Sequence, residues 1–149
     1  MNIAKFLVAL VPAVAVFAVP AFAAGPEDDQ AIRRIVQQWV DAADSQDADL
    51  MEQILHADSM QFIPHTKAPG GVMKITRDQY VDGIRAKKIG GSPRQTQIHS
   101  VELDERGRNA IAKLELQSET MIFYQFVGLS KLAAKDWKIV SILTDVVTR

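Results

Sequence analysis

The first half of the chain places hydrophobic residues with the period of an α-helix. From Asp28 to Asp44 they recur every three or four positions, so they share one face of a helix. The segment from Asp47 to His56 has the same period, and Asp47 is suited to cap its N-terminus. A third helix is predicted to begin at Thr76, whose hydroxyl can cap it, and to bury Tyr80.

The rest of the chain has the patterns of β-strands. Strands are predicted over residues 59–65, 72–75, 95–104, 110–117, 121–132 and 137–147. Residues 110–117 alternate hydrophobic with polar side chains, as a half-buried strand does. Residues 121–132 are hydrophobic on both faces, and Ala133 to Asp136 is predicted to form the turn into the last strand.

This order of elements predicts a single α+β domain over residues 24–149. Three helices from the N-terminal half would pack on the concave face of a curved, cone-shaped antiparallel sheet. Because such a cone does not close completely, we expect it to enclose a pocket between the sheet and the helices.

The first residues have a different pattern, that of a secretory signal peptide. A basic start at Lys5 precedes an unbroken hydrophobic run from Phe6 to Val19, and the sequence Ala21-Phe22-Ala23 follows Pro20. The alternative, an uncleaved membrane anchor, is disfavoured because the run is shorter than the roughly 20 residues that span a bilayer. We therefore expect residues 1–23 to be removed, and the remaining chain to be periplasmic or secreted with no membrane association.

The charge and the amino-acid composition disfavour or exclude several classes of function. Without Lys5 the chain has 16 Lys and Arg against 18 Asp and Glu, a net charge of −2, which does not favour nucleic-acid binding. The absence of cysteine excludes disulfides, thiolate nucleophiles and Cys-ligated metals. The basic residues that follow the third helix, Arg85, Lys87, Lys88 and Arg94, are interpreted as a solvated face.

Five short sequences occur in an order known from one superfamily. They are Ile-Val-Gln-Gln-Trp at 35–39, Leu-His-Ala-Asp at 55–58, Ser-Val-Glu-Leu-Asp at 100–104, Leu-Ser-Lys-Leu at 129–132 and Asp-Trp-Lys-Ile-Val at 136–140. With this spacing, residues 28–147 resemble the nuclear transport factor 2-like superfamily, in particular its bacterial SnoaL-like or lumazine-binding branch. The resemblance implies the cone fold and its cavity. Since members include isomerases, dehydratases, hydrolases and cyclases, any chemistry must be argued from the site.

The candidate acid/base residues are histidines and tyrosines. An isomerase of this superfamily needs a pocket carboxylate, but residues 64–75 contain no Asp or Glu, and Trp39 lies where a phenol donor would be wanted. His65, His99 and Tyr124, with Tyr80, could instead transfer protons near neutral pH. The alternative is that the histidines are exposed and the tyrosines only pack.

The sequence disfavours two further kinds of chemistry, a carboxylate base on the last strand and a metal site. Asp145 lies among hydrophobic residues of the last strand, where a carboxylate could act as a base, although a solvent-facing position is the simpler reading. The three histidines lack a metal-ligating spacing, so neither a metal nor another cofactor is expected.

The remaining signal is a set of aromatic residues. Trp39, Tyr80, Phe123, Tyr124 and Phe126 are expected to line a mostly hydrophobic pocket for a small, flat, largely apolar molecule. The leading interpretation is an exported small-molecule-binding domain without catalysis. An acid/base hydro-lyase or isomerase, and a structural or interaction module with a filled cavity, remain as alternatives.

The strand at 121–132 also predicts a homodimer. Met121, Phe123, Val127 and Leu129 project to one side, and Ile122, Tyr124 and Phe126 to the other. Because the helices can cover only one side, the other would be an exposed hydrophobic surface that a second copy could cover. The alternative is a monomer shielded by another part of its own chain.

Overall fold

Three helices precede or interrupt the strands in a computed structural model that describes residues 25–132 and 136–149. They are α1 (Pro26–Ser45), α2 (Ala48–Ile54) and α3 (Arg77–Arg85), and a short 3-10 turn covers Pro69–Gly71. Asp47 caps α2 by accepting a hydrogen bond from the amide of Leu50. Thr76 caps the start of α3, as predicted, and Gln79 completes a reciprocal capping box there.

Six strands form one sheet in the order β2-β1-β6-β5-β4-β3. The strands are β1 (Leu55–Pro64), β2 (Val72–Thr76), β3 (Gln95–Leu103), β4 (Asn109–Gln117), β5 (Met121–Lys131) and β6 (Trp137–Thr148). The α+β class and the three helices are confirmed. The fully antiparallel sheet is corrected, because β1 pairs in parallel with β6. Strand direction depends on which strand becomes the neighbour, and hydrophobic patterning does not contain that information.

The boundary between α2 and β1 also differs from the prediction. The helix ends at Ile54 and the strand begins at once with Leu55, which pairs with Ile139. The register then shifts between Leu55 and Met60, so the first residues of β1 follow an irregular path that has no regular two-residue period. The signal peptide and part of the predicted 133–136 turn lie outside the described residues.

The hydrophobic core lies between the helices and one face of the sheet. This inner face includes Val127, Leu129 and Ile139, each at most 1% exposed, and the helices contribute Trp39 and Ile84. The outer face has no helix against it within the described residues. None of the helices there combines the length and the hydrophobicity that crossing a bilayer requires.

One end of the sheet lies beside the C-terminus of α1. The loop of residues 86–94, which connects α3 to β3, contacts this helix end, where the amide of Gly91 donates to the carbonyl of Ala43 at 3.0 Å. Gly90 has a φ of +76°, and a Cβ atom there would lie 1.9 Å from the same carbonyl oxygen. The β4–β5 turn, 118–120, is at this end of the sheet too, so a gap remains between the loop and the turn.

Candidate ligand-binding site

A cavity of about 440 Å³ occupies that gap. The 86–94 loop forms one wall, and the β4–β5 turn with the start of β5 forms the other. Its lining residues are Gly90, Gly91, Ser92, Pro93, Arg94, Ser118, Glu119, Thr120, Met121 and Phe123. We call it the end cavity. Its volume lies within the range of small-molecule sites, roughly 300–1,000 Å³.

The only arginine in the wall, Arg94, is held by the end of α1. Its guanidinium lies 2.6 Å from the carboxylate of Asp44, and its backbone amide donates to the other carboxylate oxygen at 2.9 Å. A further contact reaches the carbonyl of Val40 at 3.4 Å, and the guanidinium lies 5.7 Å from the centre of the Phe123 ring. Arg94 is therefore a mostly buried, paired charge, with 12% of its side chain exposed, and not part of a solvated basic face.

Tyr80 on α3 is buried near this ion pair. Burial raises the pKa of its hydroxyl to about 12, with a lowering contribution from Arg94 and a raising one from Asp44. The phenol is therefore neutral at physiological pH and is a poor proton-transfer group there.

Three polar side chains lie on the inner face of the sheet, deeper than Phe123. The amide nitrogens of Gln61 and Gln125 both donate to the hydroxyl of Thr144, each at 3.0 Å. All three residues are less than 9% exposed. The oxygens Gln61 Oε1 and Gln125 Oε1 have no hydrogen-bond partner. We call these residues the inner polar group.

The aromatic residues predicted to line one pocket are divided among three places. Phe123 lines the end cavity, whereas Trp39 and Tyr80 belong to the core. Tyr124 and Phe126 lie on the outer face, 43% and 47% exposed. The expectation of a single aromatic-lined pocket is corrected, because neighbouring residues of a strand point to opposite faces. The end cavity has a mixed polar and hydrophobic wall.

The outer face has a cleft of its own, with a volume of about 430 Å³. Its wall is mainly hydrophobic and comes from β1, β2, β5 and β6. The lining residues are Phe62, Pro64, Val72, Tyr124, Phe126, Leu143, Thr144 and Asp145. Unlike the end cavity, this cleft is part of a wide exposed surface.

The predicted acid/base residues do not meet in one cavity. His65 is exposed at the end of β1, and its Nδ1 accepts from the amide of Lys67 at 3.3 Å. His99 lies on the edge strand β3, with Nε2 3.7 Å from a carboxylate oxygen of Glu115. Tyr124 is the cross-strand neighbour of Glu115 on the exposed outer face, whereas Tyr80 is buried in the core.

The structure also bears on Asp145 and on a metal site, the two other kinds of chemistry considered from the sequence. Asp145 is exposed and pairs across the strands with Tyr124, in agreement with the solvent-facing alternative. Within residues 25–132 and 136–149, no three His, Asp or Glu side chains are grouped closely enough to hold a metal ion.

Neither the inner polar group nor the pairing of Arg94 was predicted from the sequence. The available signal was Gln125, a polar residue at an inward position between Phe123 and Val127 in a strand that is otherwise hydrophobic. The pairing of Arg94 with Asp44 joins residues 50 positions apart, and no local pattern indicates it.

The sequence matches a family model over residues 27–143, and that family is described as "Putative lumazine-binding". A search of curated proteins found no match.

Solved structures with the same fold are numerous. A protein of unknown function from Silicibacter pomeroyi, described as nuclear transport factor 2-like, has a TM-score of 0.66 at 20% identity, covering 83% of this chain and 97% of its own. A similar protein from Shewanella baltica has a TM-score of 0.67 at 17% identity, covering 83% and 94%. A ketosteroid isomerase-like protein from Erwinia carotovora has a TM-score of 0.67 at 12% identity, covering 84% and 100%. At these identities the likeness concerns the fold alone.

Proposed function

We propose that this chain, which belongs to the family described as "Putative lumazine-binding" and has a nuclear transport factor 2-like fold, is a small-molecule-binding domain that uses the end cavity. The observation that carries the proposal is the cavity of about 440 Å³ between the 86–94 loop and the β4–β5 turn. It has the size of a small-molecule site and combines hydrophobic with polar wall atoms.

The charges around the cavity favour a neutral ligand. The positive charge of Arg94 is paired with Asp44, and Glu119 adds a negative group to the wall. An anion would meet two carboxylates for one arginine, whereas a cation would compete with Arg94 for Asp44. The ring of Phe123 offers a surface against which a flat molecule can pack.

Binding without catalysis is the simplest form of this function. His65 and His99 are exposed at two separate places, and the buried phenol of Tyr80 holds its proton up to about pH 12. Neither arrangement provides a positioned acid and base facing the end cavity.

Calorimetric titration with lumazine, the compound in the family description, tests the proposal. Ser92→Trp should fill the cavity with an indole ring and weaken lumazine binding at least tenfold. Thr66→Trp, at an exposed position in the 65–68 turn, is the matched control and should bind as the wild type does. If the wild type does not bind, or if both variants bind equally well, the end cavity is not the site.

We further propose that the protein is exported and acts in the periplasm or outside the cell. The proposal is supported by the basic start, hydrophobic run and Ala-Phe-Ala sequence at the N-terminus. Intact-mass measurement of the mature protein should show a chain that begins at Ala24. A full-length chain recovered with membranes would contradict export.

We also propose a homodimer formed through the outer face. The support is a hydrophobic surface on neighbouring strands, where Phe126 and Leu143 pair directly and are about half exposed. Phe62 extends this surface onto β1, beside Leu143. A contiguous hydrophobic surface of this kind is typical of an interaction site, and twofold dimers are the commonest oligomers.

A further inference from the structure

We infer that the inner polar group, Gln61, Gln125 and Thr144, binds the hydrogen-bonding edge of a neutral planar ligand. The inference rests on the proposed function, because the ligand would enter through the end cavity. It adds the class of ligand: a flat ring system whose edge carries both N–H donors and carbonyl acceptors, rather than a hydrocarbon.

The first observation is the incomplete hydrogen bonding of the group. Thr144 accepts from both glutamine amides, which occupies the two lone pairs of its oxygen and leaves its own proton to donate. Gln61 Oε1 and Gln125 Oε1 are buried with no partner. An unpaired polar group that is buried destabilises the folded state, so a folded protein ordinarily avoids such groups.

The second observation is the location of the group beside the end cavity. Phe123 lines that cavity, and Gln125 is the next residue of β5 on the same face, about 7 Å further along the strand. Thr144 is the direct cross-strand partner of Gln125. Phe123, which is only partly buried, therefore lies between the end cavity and Gln125, and the inferred binding mode requires its ring to move aside.

The unpaired atoms determine which donors and acceptors a ligand needs along its edge to complete the hydrogen bonding of the inner polar group. Two glutamine oxygens can accept from N–H groups, and the hydroxyl proton of Thr144 can donate to a carbonyl. Trp39 Nε1 and Thr96 Oγ1 are also buried without partners in the same core between the helices and the sheet. No charged side chain belongs to the inner polar group, so the complementary molecule is neutral.

A purely structural role explains these residues less well. Hydrophobic side chains of the same shape would fill the same space without leaving two carbonyl oxygens unpaired, and such replacements are often neutral or stabilising. A binding role predicts that such a replacement of a glutamine preserves or raises stability and reduces affinity for a polar ring. A structural role predicts a loss of stability and no change in ligand preference.

The test compares lumazine with naphthalene, a two-ring hydrocarbon without a polar edge, on the protein of residues 24–149. Gln125→Met and Thr144→Val keep the approximate side-chain shape and remove the hydrogen-bonding groups. Calorimetric titration should show lumazine affinity reduced at least tenfold and naphthalene affinity unchanged or increased. Without ligand, the melting temperature of Gln125→Met should be equal to or above that of the wild type. Thr144→Val should melt lower, because it leaves two buried glutamine amides without their acceptor. Gln95→Met, at an exposed position of β3, should change nothing.

The outcomes separate the two proposals. If the wild type binds naphthalene as tightly as lumazine and neither variant changes the ratio, the inference is overturned while the end cavity remains a binding site. If neither compound binds, both proposals fail. If the variants unfold, the NMR signals of the wild-type glutamine side-chain amides decide: shifts of Gln61 and Gln125 on adding lumazine support the inference, and unshifted signals overturn it.

Discussion

At the scale of single residues, the ion pair of Asp44 with Arg94 joins the end of α1 to the wall of the end cavity, and Tyr80 of α3 is buried near it. Asp44 holds Arg94 at 2.6 Å, and both charges act on the buried hydroxyl of Tyr80. The raised pKa of Tyr80 links its burial to the stability of the whole chain. In the unfolded chain the hydroxyl ionises near its ordinary pKa of 10.0, whereas the folded chain keeps its proton up to about pH 12.

Tyr80→Phe should therefore change the dependence of stability on pH. Because the pKa is raised in the folded state, its contribution is present below pH 10 and is lost as the pH rises from about 10 to about 12. Across that range the wild type should lose roughly 2–3 kcal/mol of unfolding free energy relative to the variant. Denaturant unfolding of both proteins at several pH values measures the difference. A constant difference would show that the hydroxyl is accessible to solvent.

At the scale of elements, the 86–94 loop determines the shape of the end cavity. Its seat against α1 depends on Gly90, which has a positive φ and has no room for a Cβ atom beside the carbonyl of Ala43. A second contact comes from Gln46, whose side-chain nitrogen donates to the carbonyl of Ile89 at 3.1 Å. The backbone of the loop thus contacts the backbone of the helix directly, at a distance that only a glycine at position 90 permits.

Gly90→Ala should displace this loop. We expect a loss of about 2 kcal/mol or more, because the variant combines backbone strain with a steric clash, and lumazine binding should weaken in parallel. Gly70→Ala is the matched control: Gly70 also has a positive φ, but nothing lies within 4 Å of an added Cβ. The excess of the Gly90 effect over the Gly70 effect measures the clash. Equal melting temperatures for the two variants would show that the loop is not seated as described.

How much of these elements the sequence predicts depends on where the determining contacts lie. The caps Asp47 and Thr76 act within three residues, so the helix starts are readable from local sequence. Phe123 and Tyr124 were assigned to opposite sides of one strand correctly, yet both were expected in one pocket. The parallel pairing of β1 with β6 and the contact of Arg94 with Asp44 are long-range, and they decide which residues meet.

At the scale of the whole molecule, we propose different roles for the two faces of the sheet. The inner face packs on the helices and contains the inner polar group. The outer face presents Tyr124, Phe126 and Leu143 to solvent. Its cleft is hydrophobic enough for a ligand, but the surrounding exposed surface is wider than a small molecule would cover, which favours a second copy of the chain.

Phe126→Glu should convert the proposed dimer to a monomer, since it places a charge at the centre of the outer face. Light scattering at micromolar concentration gives the mass directly. Leu132→Glu is the control, because Leu132 is exposed and hydrophobic but follows the end of β5. A wild type that remains a monomer on concentration would contradict the dimer, and so would a Phe126→Glu protein that remains a dimer.

The most direct test of small-molecule binding in the end cavity is NMR mapping of lumazine on the backbone amides of the mature protein. We expect the largest shifts at Gly90, Gly91, Ser118, Thr120 and Phe123, around the end cavity. Shifts that cluster instead at Phe62, Phe126 and Leu143 on the outer face, or no shifts at saturating lumazine, would contradict binding in the end cavity.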